Sequence, residues 1–415
     1  MTRRIHRRAF GLGAAASGAL AAGASPAFGV FGARSALAQT TPLKIGRLSP
    51  VSGFEAAIGQ HMRQAVKVGK PLLKAMGYNF EVIEADTESK PEIARTQAEK
   101  LIQDGCHVLL GAFDSGQTFA IAQVAEQHGI PHVIDIGADP AITEQGFKFV
   151  VRNFPTAVML GNQGLGNFKA LFTATGKTPK SAALMHLNDT FGVAMVKGIN
   201  AYADKVGLPF KFVADIDYAP DAKDLSVEVA KAKAANAELQ VVVTRLNDAI
   251  LLVREMVKQK YEPTGIISPG SPGMYQAQFF KALGKYANYC ITNIPWFDPK
   301  QALAGEFQAA YAKAYPDDFA ILDDGFSFEG LLICCDAYKR AGSTKPEALM
   351  DALKSTNIAS RVMLGGAITF DAKGQNTILP SAVVQNLDGR PTVVLPEANA
   401  QAKPVYPMPG WSQRS

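Results

Sequence analysis

The stretch HVLLGAFDSGQTFAIAQVAEQHGIPHVIDIGAD, residues 107–139, constrains the fold more than any other part of this chain. His107 to Phe113 is a short apolar run rich in branched residues, too short for a helix, and it reads as a buried parallel strand. Asp114-Ser115-Gly116 breaks it. Gln117 to His128 then has helical periodicity, with Phe119, Ile121, Ala122 and Ala125 inward, and Gly129 and Pro131 stop it before a second strand at Val133-Ile134. That strand runs into another small, polar loop, Gly137-Ala138-Asp139. Two adjacent strand ends therefore place Ser115 and Gly137 on one edge of a sheet, where open α/β folds bind ligands. Free N–H groups at the start of the 117–128 helix would favour an anion by ~0.3–2 kcal/mol. An ordinary βαβ unit without a ligand fits the same pattern.

The alternation extends along the whole chain. Strands are predicted at Lys44 to Leu48 and Phe80 to Ala85, with helices at 60–76 and 91–103, and a further strand at Lys148 to Val151. Pro71 costs ~3 kcal/mol in a straight helix interior, which predicts a kink or break near Gly69. After a crossing segment at Asn153-Phe154-Pro155, a second series begins. Its strands are Ala182 to Leu187, Phe210 to Ile216, Leu239 to Thr244, Gly265 to Ser268 and Tyr289 to Ile294, with helices between them. Helices at 303–315 and 326–341 and strand pieces near 367–370, 379–385 and 391–395 close the chain. The fold class is α/β: two Rossmann-like lobes, each a parallel sheet flanked by helices, with a cleft between facing strand ends.

Residues 1–38 read as an export signal of twin-arginine type. Arg7-Arg8-Ala9-Phe10-Gly11-Leu12 precedes a long Ala/Gly run, and Ala36-Leu37-Ala38 suits cleavage. Five of the 42 basic residues and none of the 37 acidic ones fall in this segment, so the remainder is formally neutral. Charge thus gives no reason to expect nucleic acid or an anionic membrane as partner. Cys106, Cys290, Cys334 and Cys335 read as buried thiols, with one long-range disulfide as the alternative.

Screens for catalytic and cofactor motifs are negative. GKT at 176–178 lacks the glycine of a phosphate loop, and Gly164-Leu165-Gly166 follows no strand. No GxSxG, HExxH or EF-hand loop occurs. His128 and His132 have helical spacing, but Pro131 lies between them. Asp323-Asp324 reads as solvated or helix-capping. No catalytic residue, metal site or cofactor is expected.

The segments KIGRLSPVSGFEAAIGQ, LIQDGCHVLLGAFDSG, GIPHVI, LNDTFG, TRLNDAILLV and GAITFDAKG occur in an order that resembles the branched-chain amino-acid (Leu/Ile/Val) binding proteins, the substrate-binding subunits of ABC importers. The resemblance covers nearly all of 43–386. It implies a type I periplasmic binding protein fold with a three-segment hinge, crossing near 153–156, 287–294 and 355–366. Lobe 1 would comprise 43–153 and 293–357, lobe 2 156–288 and 364–395, and 396–415 an irregular tail packed by Trp411. It further implies a monomer in the periplasm that closes on a small solute and delivers it to an inner-membrane permease.

By the same resemblance, Ser115 matches a hydroxyl that binds a ligand carboxylate, and Gly137 and Ala138 match the backbone completing that site. Phe191 stands where many relatives have Tyr. Asp248 matches a recurrent acid, or caps a helix. Relatives often carry a ligand-binding acid in the loop that here is Ser268-Pro269-Gly270-Ser271-Pro272-Gly273, and Ile58 replaces a common aromatic. An unpaired buried ammonium costs several kcal/mol. The expected solute is therefore a carboxylate lacking an α-amino group, aromatic acids included. Arg245 would contact its second polar group, or else form an interlobe ion pair with Asp248 or Asp189. Phe54, Phe113, Phe191 and Phe328 would supply walls or core packing, and Ser271 counts among the contacts. Asp114, Asp139 or Glu329 could instead meet an ammonium, which keeps branched-chain amino acids as the alternative. A hydrolase or amidase, or a sensor for a membrane receptor, are the rivals of other classes.

Overall fold

The computed structural model describes residues 41–414; the export signal expected at 1–38 lies outside them. The first half supplies β1 (Leu43–Ser49), α1 (Ala56–Ala75), β2 (Phe80–Asp86), α2 (Pro91–Gln103), β3 (Val108–Leu110), α3 (Ser115–His128), β4 (His132–Ile134), α4 (Ala141–Glu144) and β5 (Val150–Arg152). These strands form a five-stranded sheet in the order β2-β1-β3-β4-β5, parallel throughout. β3 and β4 are short and wholly buried, as strands covered by helices on both faces must be, whereas edge strand β2 is partly exposed.

The second series runs α5 (Ala157–Thr175), β6 (Ser181–Leu187), α6 (Thr190–Val206), β7 (Lys211–Tyr218), α7 (Ser226–Ala234), β8 (Leu239–Val243), α8 (Leu246–Lys258), β9 (Gly265–Ser268), α9 (Ala277–Leu283) and β10 (Ile291–Ile294). The chain then returns to the first lobe for α10 (Ala302–Ala314), α11 (Leu322–Ala341) and α12 (Pro346–Lys354), with α10 and α11 packing on α1. It ends in the hairpin β11 (Ala382–Leu387) and β12 (Arg390–Leu395), which completes a seven-stranded sheet ordered β12-β11-β10-β9-β8-β6-β7. Among the named strands, the pairings of β11 with β10 and with β12 are antiparallel and the others parallel.

Several expectations need correction. β10 pairs with β9 and β11, so residues 291–294 belong to the second sheet and the crossing expected at 287–294 begins after Ile294. Gln375 bridges to Arg152 at the edge of the first sheet, so the third crossing follows Asn376 rather than falling at 355–366. The 367–370 strand is reduced to a single bridge between Ile358 and Ile368. α1 continues through Pro71 because Lys67 and Pro71 face solvent, where water can satisfy the carbonyl that proline leaves without a donor. α11 starts a turn earlier than predicted, since Asp324 accepts from the Ile321 amide at 2.8 Å and closes its first turn. All four cysteines are buried and free.

Candidate functional site

Helix starts at the tips of both sheets are set by aspartates. Asp114 caps α3, its Oδ1 accepting from the amides of Gly116 (2.8 Å) and Gln117 (3.1 Å). Asp189 caps α6 through the Gly192 amide at 2.7 Å. The second oxygen of each cap turns into the cleft, and both meet Arg245, from the tip of β8, at 2.8 Å and 2.5 Å. Glu55 of the first lobe adds a third carboxylate to the same guanidinium at 3.1 Å and also accepts from Gln117 at 2.7 Å. The faces of Phe113 and Phe191 lie 5.1 Å and 5.5 Å from the guanidinium carbon. This buried cluster latches one lobe to the other, and the Asn247 side chain adds a 3.0 Å bond to the Phe54 carbonyl.

Behind the latch lies a narrow chamber walled from both lobes. The first lobe contributes Phe113, Ile136, Ala138, Leu322 and Asp323 to its walls, and the crossing segment contributes Phe154. From the second lobe come Leu160, Phe191, Arg245, Gly270, Pro272, Tyr275 and Ile294. Strand tips from both sheets thus surround one largely apolar chamber.

Of the site residues expected from sequence, Phe113, Ala138, Phe191 and Arg245 line this chamber; the others take other places. Ser115 Oγ accepts from the Ala138 (3.2 Å) and Asp139 (3.1 Å) amides and ties two loops together. Gly137 lies against Thr118 too closely for any side chain, and its carbonyl accepts from Arg152 at 2.9 Å. Ser271 is held by Ser268 Oγ (2.6 Å) and the Thr244 amide (3.0 Å), which shapes the 268–273 loop. Phe54 is 38% exposed and borders an outer groove, because its helix-opening turn faces solvent. Phe328 points to the opposite side of α11, packing on Phe307 (4.9 Å between rings) and on the backbone of Gly69. The anion position at the α3 N-terminus is filled by the chain's own Asp114 carboxylate. Asp248 is a cap, accepting from the Arg245 amide at 2.9 Å, and the Tyr218 hydroxyl donates to it at 2.7 Å. Glu329 is not available to a solute, since Arg361, Asn153 and two backbone amides surround it.

Asp323 was missed. It is 0% exposed, lines the chamber, and has no hydrogen-bond partner on either oxygen; the Tyr275 hydroxyl is near but outside hydrogen-bonding geometry. The signal was the Asp323-Asp324 doublet itself. Successive helical side chains diverge by about 100°, so only one of the two can turn back to cap. The acid-free 268–273 loop disfavours an amino group in the solute only while no other carboxylate reaches the chamber. Asp323 does reach it, from the other lobe.

Burial dominates the site's protonation. It raises Glu55 from 4.5 to about 8 against the pull of Arg245, raises Asp323 from 3.8 to about 7 against His61, and pushes Asp114 upward. Burial would lower His61, but Asp324 at 3.0 Å holds it at about 9, above its ordinary 6.5. All three of Glu55, Asp323 and His61 keep in the folded state a proton that the unfolded chain releases, so stability falls as pH rises through these windows. His132, lowered by burial from 6.5 to about 4, acts oppositely, but only below 6.5. The expected result is a melting temperature that declines from pH 6.5 to 8.5, with a shallower decline in Glu55→Gln. Thermal melts across that range check it; a rising curve would contradict the assignment.

The sequence profile of the family described as Periplasmic binding protein matches residues 42–390. Leu/Ile/Val-binding protein homolog 7 of Brucella suis is 24% identical over 398 residues, covering 92% of this chain and 95% of its own. Among solved structures, a branched-chain amino acid transporter substrate binding protein from Streptococcus pneumoniae in complex with isoleucine superposes with a TM-score of 0.75 at 18% identity. The match covers 88% of this chain and 100% of that one. A solute binding protein of an ABC transporter from R. palustris in complex with benzoate superposes with a TM-score of 0.73 at 19% identity, over 88% and 98%. Two sheets whose strand tips enclose one chamber, and a profile spanning both, lead to one conclusion: this chain belongs to the periplasmic binding protein family.

Proposed function

We propose that this protein is the solute-capturing component of an ABC importer, exported to the periplasm, which closes two lobes over one small molecule and releases it unaltered to a membrane permease. The observation that carries this reading is the chamber between the sheets, lined from both lobes and fronted by the Arg245 latch. Its largely apolar lining suits a compact molecule with an apolar body. The ligands named for two structural neighbours, isoleucine and benzoate, are both small carboxylic acids of that kind. The same class, acids and amino acids with a compact hydrophobic body, is proposed here. An amidase or hydrolase fits less well, because no Ser, Thr, Cys or His is among the residues lining the chamber.

A thermal-shift panel of branched-chain and aromatic amino acids, benzoates and aliphatic acids tests the proposal. A true ligand at about 100 times its dissociation constant adds ~2.7 kcal/mol of stability. At least one member is expected to stabilise the protein with one-to-one stoichiometry by calorimetry. No shift from any member, or turnover of a member by purified protein, would refute it.

A further inference from the structure

The following rests on the solute-capture reading and concerns what the captured molecule carries. Among the wall residues, two are charged. Arg245 is already faced by Glu55, Asp114 and Asp189, so it offers no spare positive charge to a second anion. Asp323 is the reverse case: wholly buried and lining the chamber, with no hydrogen-bond donor on either oxygen and its nearest cation, His61, beyond ion-pair distance. A carboxylate left so is costly unless something entering the chamber supplies the missing donors. The Tyr275 hydroxyl, from the facing lobe, is also buried without a hydrogen-bond partner.

We infer that Asp323, with Tyr275 beside it, is the head-group site that selects solutes bearing an ammonium group on an apolar body. A positively charged nitrogen would supply donors to both Asp323 oxygens, and Tyr275 stands ready to accept or donate one more. A metal ion is the other cation to weigh, but the described residues contain no group of three or more His, Cys, Asp or Glu able to hold one. The remaining walls, including Phe113, Phe154, Leu160 and Ile294, suit a hydrocarbon body.

The test uses matched probes differing by one group: leucine, 4-methylpentanoate and 3-methylbutylamine, then phenylalanine, 3-phenylpropanoate and 2-phenylethylamine. Calorimetric titration of the wild type and of Asp323→Asn is compared, together with their melting temperatures without ligand. The amine-bearing probes are expected to bind the wild type and to lose at least about tenfold in affinity in Asp323→Asn. Whether the carboxylate is also needed is read from the amine-only probes. Without ligand, Asp323→Asn is expected to melt at the same or a higher temperature at neutral pH, because the cost of burying a carboxyl with no partner, its pKa raised by that burial to about 7, is gone. Binding of the amine-free acids alone, with affinities unchanged in Asp323→Asn, overturns the inference and leaves solute capture standing. So does a lower melting temperature for Asp323→Asn, which would make Asp323 a structural group. Failure of every probe on the wild type overturns it together with the capture reading.

Discussion

Arg245→Met is expected to open the cleft and to lower stability by about 3–5 kcal/mol, the usual cost of removing one partner from a buried ion pair. Methionine keeps much of the side chain's volume between Phe113 and Phe191, so the loss is chiefly electrostatic. Without the guanidinium, Asp114 from the first lobe and Asp189 from the second lose the cation they share at 2.8 Å and 2.5 Å. Two buried like charges then favour separation of the lobes, because moving apart rehydrates both. Glu55, kept protonated to about pH 8 by burial, adds to the repulsion only in alkali. Small-angle scattering is expected to show a larger radius of gyration than the wild type at neutral pH, and the melting temperature is expected to fall. An unchanged radius and melting temperature would show that the latch contributes nothing to closure.

Glu329→Ala is the second large effect, also about 3–5 kcal/mol or more, and it strikes the hinge. Glu329 is fully buried on α11 and accepts five hydrogen bonds. Two come from Arg361 (3.0 and 2.7 Å), one from Asn153 (2.7 Å), and two from the amides of Val362 and Met363 (3.0 and 2.9 Å). One carboxylate thus pins the first crossing and the 361–363 segment to the same helix. Removing it strands a buried guanidinium and three other donors. Arg361→Met combined with Glu329→Ala is expected to recover part of the loss, since a charge-free site is cheaper than a half-empty one. Chemical denaturation of the single and double variants measures this; a single variant within 1 kcal/mol of wild type, below the usual cost of such a change, would refute the role given to Glu329.

Much of the architecture was legible because period and punctuation agree. Buried runs such as Leu239–Val243 leave little choice but a covered strand, and Gly129, with φ of 64°, ends its helix as the sequence predicts. What failed were the crossings, since nothing local separates a strand that joins the next sheet from one that leaves it. Ile291–Ile294 has the same strand-like, buried sequence in either case. Within the site, Arg245 and Asp189 were named as possible ion partners from sequence, but Glu55 and Asp323 were not. Their roles depend on which way a helix start turns once two distant segments are packed, information carried by no single stretch. Ser115 shows the opposite limit: its motif matched relatives, yet here its hydroxyl holds two amides of the neighbouring 137–139 loop.

Three passages between the sheets leave the two ends of the described chain on different bodies. Thr41 accepts from the Tyr338 hydroxyl in one, while Arg414 donates to the carbonyls of Tyr286 and Asn288 in the other. Dyes attached near residues 41 and 414 would therefore report the jaw angle directly, turning the molecule into a sensor without any alteration to the chamber. An even number of passages would have put both dyes on the same rigid half, blind to the motion.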